Sequence, residues 1–401
     1  MVSHLVMWRL GFIFHEMAFG LLSVFLPLYV IAIGGSLIDI GVMSALALFL
    51  AIPASFFWGY ICDKTRRYKR FILLSFLSSA IILYLFTFTS NVELLIILYV
   101  IMSVLHVAHE PPKNVLIAEL YTREEWEKTF ALYEGFTEIG WLFGLLLGFF
   151  MSALGIGAVF TLLLCSGLNL AAFILSTVLV RDPILILERA LVAMEKTVDF
   201  ACKGITVACR IFDGLFLNES LERENLKAFC GGLILFSLAT SMLFTPLPVF
   251  LSQGLALSQS LVFALYALNS TGSILGYFLA CRNSDRSVEK SALNRIAISR
   301  SMLTFLLILT IQPFAFRVAL ATTILILMGF IYALFLVATL ALSMELLPQG
   351  KAGIFNALVG VGGATGSFIG PFLAEKLGFA YVFLTTGIVF FFAYVAFKIF
   401  N

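Results

Sequence analysis

Charged residues are scarce in this sequence. Its 25 lysine and arginine residues and 23 aspartate and glutamate residues make up only 12% of the 401 residues. Soluble domains carry about twice that share, so the composition excludes an ordinary water-soluble protein. Apolar residues make up 61% of the chain. Many uncharged stretches approach the roughly 20 residues that a helix needs to cross a bilayer. The sequence therefore predicts an all-α polytopic membrane protein that is embedded in lipid.

Paired cysteines and cofactor motifs are also lacking. The six cysteines show neither disulfide nor metal-ligand spacing, and we expect no metal and no cofactor. The net charge of +2 gives no indication of nucleic-acid binding. The first apolar segment contains Arg9, His15 and Glu16 and has no small-residue cleavage site, which favours a retained membrane span over a signal peptide.

Glycine, proline and charge clusters divide the apolar sequence into twelve predicted spans. A polar linker at 181–226 separates an expected N-terminal six-helix bundle at 1–180 from a C-terminal six-helix bundle at 227–401. The linker has basic residues at seven-residue intervals beside an apolar stripe, which predicts an amphipathic helix that tethers the halves at the cytoplasmic interface. The spans lie near residues 5–33, 38–61, 71–89, 93–118, 129–150, 157–180, 227–251, 258–280, 294–312, 317–345, 353–374 and 379–398.

The placement of basic residues predicts the direction in which the chain crosses the membrane. If the N-terminus is cytoplasmic, only Arg317 and Lys376 of the 25 basic residues lie on or beside outer loops. Basic residues concentrate in the cytoplasmic loops of membrane proteins. We therefore expect both termini in the cytoplasm and a multi-pass protein of the cell (plasma) membrane.

The two halves share an internal sequence repeat. VFLPLYVIAIGG at 24–35 matches LFTPLPVFLSQG at 243–254, so that Pro27 aligns with Pro246, and a Gly-Tyr pair follows in each half. Further echoes occur in the same order with nearly equal spacing. Repeated halves around a central cavity are typical of transporters. We therefore expect two pseudo-symmetric six-helix bundles.

The basic loop between spans 2 and 3 carries a recognisable motif. GYICDKTRRYKR resembles the corresponding loop of the major facilitator superfamily. The matching residues are Gly59, Asp63, Lys64 and Arg67. Arg66 stands where the family has glycine. The resemblance implies the twelve-helix fold of that family and a cytoplasmic latch in which the aspartate and the basic residues hold that side closed.

Glycines extend the resemblance to spans 5 and 11. Exporters of this family carry glycines around a Gly-Pro pair in span 5, where this chain has a glycine at every fourth position but no proline. Its Gly-Pro pair lies in span 11, and span 4 lacks the arginine of many proton-driven exporters. The direction of transport therefore stays open. We expect close helix packing at Gly140, Gly144, Gly148, Gly366 and Gly370.

Ionisable residues inside the predicted spans form the candidate functional site. In HVAHEPPKN of span 4, an i, i+3, i+4, i+7 spacing places His106, His109, Glu110 and Lys113 on one helix face. An ionisable group at the bilayer centre costs roughly 2.5 to 3.5 kcal/mol on insertion scales, so such groups mark functional sites. Glu110 is the strongest proton-coupling candidate.

Other spans add further candidates. These are Glu16, Arg9 and His15 in span 1, Glu134 and Glu138 in span 5, and the amides Asn269 and Asn356 as polar cavity residues of the second half. In the first half, four glutamates face two permanent cations. The excess negative charge favours the uptake of protons by a glutamate or a histidine, which is what a proton-coupled carrier requires.

Two other interpretations of these charges stay open. The groups could form a static network of ion pairs and hydrogen bonds that joins spans 1, 4 and 5, with His or Lys bonding the carbonyls that the Pro-Pro pair leaves free. HEPPK at 109–113 is superficially similar to the HExxH motif of zinc proteases, but Lys113 replaces the second histidine. We therefore expect no enzymatic activity.

We expect a proton-coupled secondary transporter that works by alternating access. The phenylalanine-rich second half, which has few polar groups, favours export of small hydrophobic or amphipathic organic molecules. The alternative is uptake of a small organic anion or nutrient, with Arg9 and Lys113 among its counter-charges. A more distant alternative is a non-transporting membrane sensor or scaffold. The expected partners are the small-molecule substrate, protons and the lipid bilayer, and we expect a monomer.

Overall fold

The computed structural model describes residues 9–113, 126–180, 182, 226–280, 286–346 and 352–400, and every regular element within them is helical. Twelve of these helices are long and apolar enough to cross a membrane, which confirms the predicted twelve-span fold. The helices are α1 Arg9–Ala32, α2 Leu37–Thr65, α3 Tyr68–Phe86, α4 Val92–His106, α5 Trp126–Ala153, α6 Ala158–Leu179, α7 Leu226–Phe244, α8 Gln259–Ala280, α9 Arg286–Leu307, α10 Arg317–Leu346, α11 Ala352–Lys376 and α12 Phe379–Phe400. Short helical turns extend three of them: Val107–His109 after α4, Leu247–Val249 and Phe250–Gly254 after α7, and Ile308–Ile311 after α9. The membrane span that begins with α4 continues to Lys113, and residues up to Lys113 are counted with α4.

Local sequence explains both ends of α2. At its start, the Ser36 hydroxyl accepts a hydrogen bond from the Asp39 N–H (3.1 Å), and the Asp39 carboxylate accepts one from the Ser36 N–H (2.8 Å). This reciprocal pair satisfies two amides of the first turn. At its end, Arg66 has φ 52° and ψ 28°, in the left-handed region. Arg66 therefore adopts the conformation for which the family glycine at this position is suited.

The helices of the two halves pack in the same pairings. Within the N-terminal half, α1 packs on α5 and α6, α2 and α3 pack on α4, and α3 packs on α6. The same pairings occur in the C-terminal half, where α7 packs on α11 and α12, α8 and α9 pack on α10, and α9 packs on α12. The halves meet where α2 packs on α11 and where α5 packs on α8, which are also equivalent contacts. This repeat in packing corresponds to the repeat in sequence.

Apolar packing across the halves is concentrated at one side of the molecule. Since twelve spans return the chain to its starting side, Arg9 and Phe400 lie at the same side, here called the terminal face, and the opposite side is the distal face. One apolar cluster at the distal face contains buried residues of both halves, among them Phe25, Phe250 and Phe383. Among the described residues, each apolar cluster nearer the terminal face belongs to one half only.

Glycines allow the closest helix contacts in both halves. A side chain at Gly140 or Gly144 of α5 would collide with the backbone of α1, and one at Gly366 or Gly370 of α11 would collide with the backbone of α7. Gly148 instead faces the ring of Phe263 on α8, across the boundary between the halves. The structure thus places the five predicted glycines at helix contacts.

The linker lies outside the described residues except for positions 182 and 226. Its predicted amphipathic helix and the predicted boundaries of the two bundles at this linker therefore stay predictions.

Candidate proton and substrate site

A short turn in α4 organises the candidate site. Beyond His106, the Glu110 N–H bonds to the Val107 carbonyl, as in a 3₁₀ turn, so the His106 carbonyl loses its usual helical donor. Two side chains replace that donor, since His109 Nδ1 (2.6 Å) and the Ser75 hydroxyl (2.7 Å) both bond to the His106 carbonyl. Ser75 lies on α3, so the turn in α4 is fixed by a neighbouring helix.

His15 of α1 is fully buried and joins α6 to α4. The Asn169 amide nitrogen donates to the Cys165 carbonyl (2.9 Å), which leaves the Asn169 oxygen as the acceptor for His15 Nδ1–H (2.6 Å). In its neutral form His15 then has a free lone pair on Nε2, which accepts from His106 Nδ1–H (3.1 Å). The sequence analysis missed Asn169, although an amide in an otherwise apolar span 6 was a usable signal.

The contact between His109 and Glu110 can hold a proton. With His109 Nδ1 donating to the His106 carbonyl, a neutral His109 presents a lone pair at Nε2. That nitrogen lies 3.3 Å from a carboxylate oxygen of Glu110, so a proton on either group would make this contact a hydrogen bond.

Lys113 links α4 to α5. Its ammonium lies 2.6 Å from one Glu110 oxygen and 3.9 Å from a Glu134 oxygen, and it sits 5.3 Å from the centre of the Tyr133 ring. Glu16 of α1 lies within electrostatic range of Lys113 and of the other three glutamates. The structure thus brings all four predicted glutamates and Lys113 into one network of α1, α4 and α5.

Glu138 connects this network to the C-terminal half. One of its carboxylate oxygens accepts a hydrogen bond of 2.6 Å from the hydroxyl of Ser270 on α8. Ser270 is buried, and Glu138 is partly buried. Among the described residues, Glu138 has no basic side chain within 4 Å, which distinguishes it from Glu110 and Glu134. The Glu138 carboxylate thus lies where the two halves meet.

The remaining cavity candidates are placed differently. Arg9 is buried near the terminal face, with its guanidinium 5.8 Å from the centre of the Phe136 ring. Asn269 donates to the Leu325 carbonyl (2.6 Å) and so joins α8 to α10 within the C-terminal half. The side chain of Asn356 lies outside the described residues.

The predicted latch residues lie at the terminal face. Gly59 of α2 faces Pro111 of α4, whereas Asp63, Lys64 and Arg67 are exposed. Asp63 makes no ion pair with any described residue.

A different acid anchors the latch loop. Asp182, which follows α6, accepts a hydrogen bond from the backbone N–H of Lys69 (2.8 Å), and the Lys69 ammonium donates to the Thr177 carbonyl (2.5 Å). A carboxylate at this helix N-terminus is favoured by the free amides of the first turn. The sequence analysis did not single out Asp182.

The three histidines are the described residues that could hold a metal ion. One nitrogen of each of His15, His106 and His109 lies within 4.8 Å of the others. The hydrogen bonds already described, however, engage both His15 nitrogens and Nδ1 of the other two rings. The three rings are therefore joined to protein groups by hydrogen bonds.

The C-terminal half contains one buried cation that the sequence analysis missed. Arg300, in the middle of α9, is 1% exposed, and its Nε and Nη1 have no hydrogen-bond partner among the described residues. Four aromatic rings surround the guanidinium, with their centres 5.5 to 5.8 Å from Cζ. These rings are Phe236, Phe244, Tyr332 and Phe390. A lone arginine within the apolar stretch 296–311 was the available signal.

Twelve apolar helices in two repeated halves, with an acid in contact across the halves, are the architecture of a polytopic membrane transporter. The chain belongs to the Major Facilitator Superfamily, whose family model matches residues 10–358. No curated protein sequence matches the chain significantly.

Several solved transporters have a similar fold. The nucleoside transporter NupG is 12% identical, with a TM-score of 0.68 and coverage of 99% of each chain. The human organic anion transporter MFSD10 (TETRAN) is 14% identical, with a TM-score of 0.66 and coverage of 98% of each chain. A structure from a study of proton dependent oligopeptide transporters is 12% identical, with a TM-score of 0.76, and covers 100% of this chain and 98% of its own. These likenesses show the fold.

Proposed function

We propose that the protein is a proton-coupled secondary transporter that works by alternating access and exports small hydrophobic or amphipathic organic molecules. The observation that carries this proposal is the hydrogen bond between Glu138 and Ser270. It joins the partly buried acids of one half to the other half. A proton that binds or leaves at Glu138 changes a contact between the halves, and this couples protonation to their relative movement.

The distribution of apolar packing supports alternating access. We take the terminal face to be cytoplasmic, because the basic residues of the sequence concentrate in its loops. On that orientation, the apolar cluster that joins the halves closes the outer side. The Glu375 carboxylate of α11 also accepts a hydrogen bond from the Ile38 N–H at the start of α2 (2.9 Å), across the halves at the distal face. These contacts support a state that opens toward the cytoplasm.

Among the four glutamates, the geometry favours Glu138 as the proton carrier over Glu110, the residue preferred from the sequence. The Glu110 carboxylate lies directly against the Lys113 ammonium, which keeps it paired with positive charge, and also contacts His109. Glu138 has only the neutral Ser270 hydroxyl as a described hydrogen-bond partner. Its ionised form is therefore less compensated than that of Glu110, and a nearby proton or substrate has more influence on it.

Transport in proteoliposomes under an imposed pH gradient tests the proposal. In Glu138→Gln, proton movement that depends on substrate should fall at least tenfold, while exchange of substrate across the membrane persists. Glu375→Gln is the matched control, because Glu375 also bonds across the halves but lies at the exposed distal face. Normal proton coupling in Glu138→Gln, or an equal loss in both variants, would contradict the proposal.

A second candidate function is proton-coupled uptake of a small organic anion or nutrient. The observation in its favour is Arg300, a buried cation with no acid beside it among the described residues. The similar structures come from transporters named for nucleosides, organic anions and oligopeptides, so the shared fold fits either candidate. Deleting the gene distinguishes them: export predicts lost tolerance to toxic compounds, and uptake predicts lost growth on one nutrient.

A non-transporting sensor or scaffold is the third and most distant candidate. For proteoliposomes that contain the wild-type protein, it predicts that no compound of a broad panel is transported and that none causes protons to cross the membrane.

A further inference from the structure

Arg300 has an unusual environment for a cation in a membrane protein. It sits in the interior of the C-terminal half, and no described acid lies within ion-pair distance of its guanidinium. Neither Nε nor Nη1 has a hydrogen-bond partner among the described residues. Buried arginines in membranes normally pair with an acid or with backbone carbonyls. The positive charge and two donors of Arg300 are therefore left for a group other than the residues that the structure describes.

The four rings around Arg300 compensate its charge only in part. Rings attract a cation with their faces, but they accept none of the hydrogen bonds that a guanidinium offers in its plane. Phe236 and Phe390 are fully buried, whereas Phe244 and Tyr332 are partly exposed. The accessible side of this aromatic cage is therefore formed by Phe244 and Tyr332.

Tyr332 of α10 connects the aromatic cage to the boundary between the halves. Its ring centre lies 5.5 Å from the Arg300 Cζ. Its neighbour Ala333 is in one buried cluster with Tyr277 of α8. Tyr277 in turn faces Gly135 of α5, across the boundary between the halves where a carrier binds its substrate.

We propose that the aromatic cage binds the carboxylate end of the transported molecule, which is a small monocarboxylic acid with an aromatic or branched apolar body. The carboxylate accepts the free in-plane donors of Arg300, and the rings contact the apolar body. A single cation suits a singly charged group better than a doubly charged phosphate. The inference rests on the proposed function, since it names the class of substrate that the transporter carries.

Binding to the purified protein in detergent, without any gradient, tests this assignment. The probes are benzoate, phenylacetate and 3-methylbutanoate, each compared with its uncharged amide. We expect at least one acid to raise the Tm of the wild-type protein in a concentration-dependent way, with an apparent affinity at least tenfold above that of its amide. In Arg300→Met this preference for the acid should disappear, and Arg300→Lys should retain part of it.

The matched control is Arg295→Gln, which removes an exposed arginine of the same helix and should leave the preference unchanged. If Arg300 had only a structural role, Arg300→Met would change the Tm of the free protein but not the difference between acid and amide. That outcome overturns the proposal, as does a wild-type protein that prefers none of the three acids. Failure of proton coupling at Glu138 would leave this binding intact, so the two proposals fail separately.

Discussion

The two halves of the chain pack their helices in equivalent pairs but bury different chemistry. The N-terminal half buries His15, His109 and Lys113 and connects them through a continuous series of hydrogen bonds and ion pairs with its acids. In the C-terminal half, the described buried cation is Arg300, which contacts rings instead of acids. The comparison shows that a repeated helix arrangement does not require repeated polar contacts. The described cations and acids of one half are joined to each other, whereas the buried cation of the other half is surrounded by rings.

The largest expected effect on stability comes from Lys113, which is paired with acids, in contrast to Arg300. Lys113→Met leaves Glu110 and Glu134 without their shared counter-charge, so we expect a loss of about 2 kcal/mol in the free energy of unfolding, less than for a fully enclosed pair because Glu110 is partly exposed. Thermal unfolding in detergent measures it. Adding Glu110→Gln should restore part of the loss. Unchanged stability of Lys113→Met would show that the network of the N-terminal half is not held by this ion pair.

A second prediction tests the structural equivalence of the halves. Gly144→Ala places a methyl group against the backbone of Met17, and Gly370→Ala places one against the backbone of Met242. Both should lower stability by similar amounts, about 2 kcal/mol, because a helix pair must separate slightly.

Two glycines that also lie within membrane helices, but have open space beside them, provide the controls. Gly167 in α6 and Gly231 in α7 have no atoms within 4 Å of an added methyl group. Their alanine variants should be neutral or more stable by about 0.5 kcal/mol, since alanine is the better helix former. A large difference between Gly144→Ala and Gly370→Ala would show that the halves are not packed equivalently.

The smallest expected effect is that of Arg300→Met, which should raise the free energy of unfolding, whereas Lys113→Met should lower it. Arg300→Met removes a buried cation and leaves no described acid unpaired, so unfolding of the free protein should become harder by up to about 1 kcal/mol or stay unchanged. The same thermal assay measures it beside Lys113→Met. A loss as large as that of Lys113→Met would mean that Arg300 has an essential structural partner and would remove the contrast between the halves.

Hydropathy predicted the twelve helices because each crossing requires a long apolar stretch, whatever its neighbours are. Helical spacing likewise placed Glu110 and Lys113 on one face, since that depends on a single helix. Contacts between helices could not be predicted in the same way, because they depend on residues far apart in the sequence. The bond from His15 to Asn169 joins residues 154 positions apart. The partner of Glu138 is a serine on another half, and serines in apolar helices are too common to indicate a partner. The bond from Asn269, a predicted cavity residue, to the Leu325 carbonyl of a neighbouring helix was likewise not predictable, and its place in the cavity stays a prediction.

Arg66 has a consequence for the populations of transporter states. A residue with a side chain in the left-handed region is about 1 kcal/mol less stable than a glycine there. A conformation in which the φ of Arg66 is negative recovers that energy, which corresponds to about a fivefold change in relative population. A glycine at this position would have no such preference, because glycine adopts both signs of φ about equally well. An arginine here therefore favours any state of the transport cycle in which the end of α2 leaves the left-handed conformation.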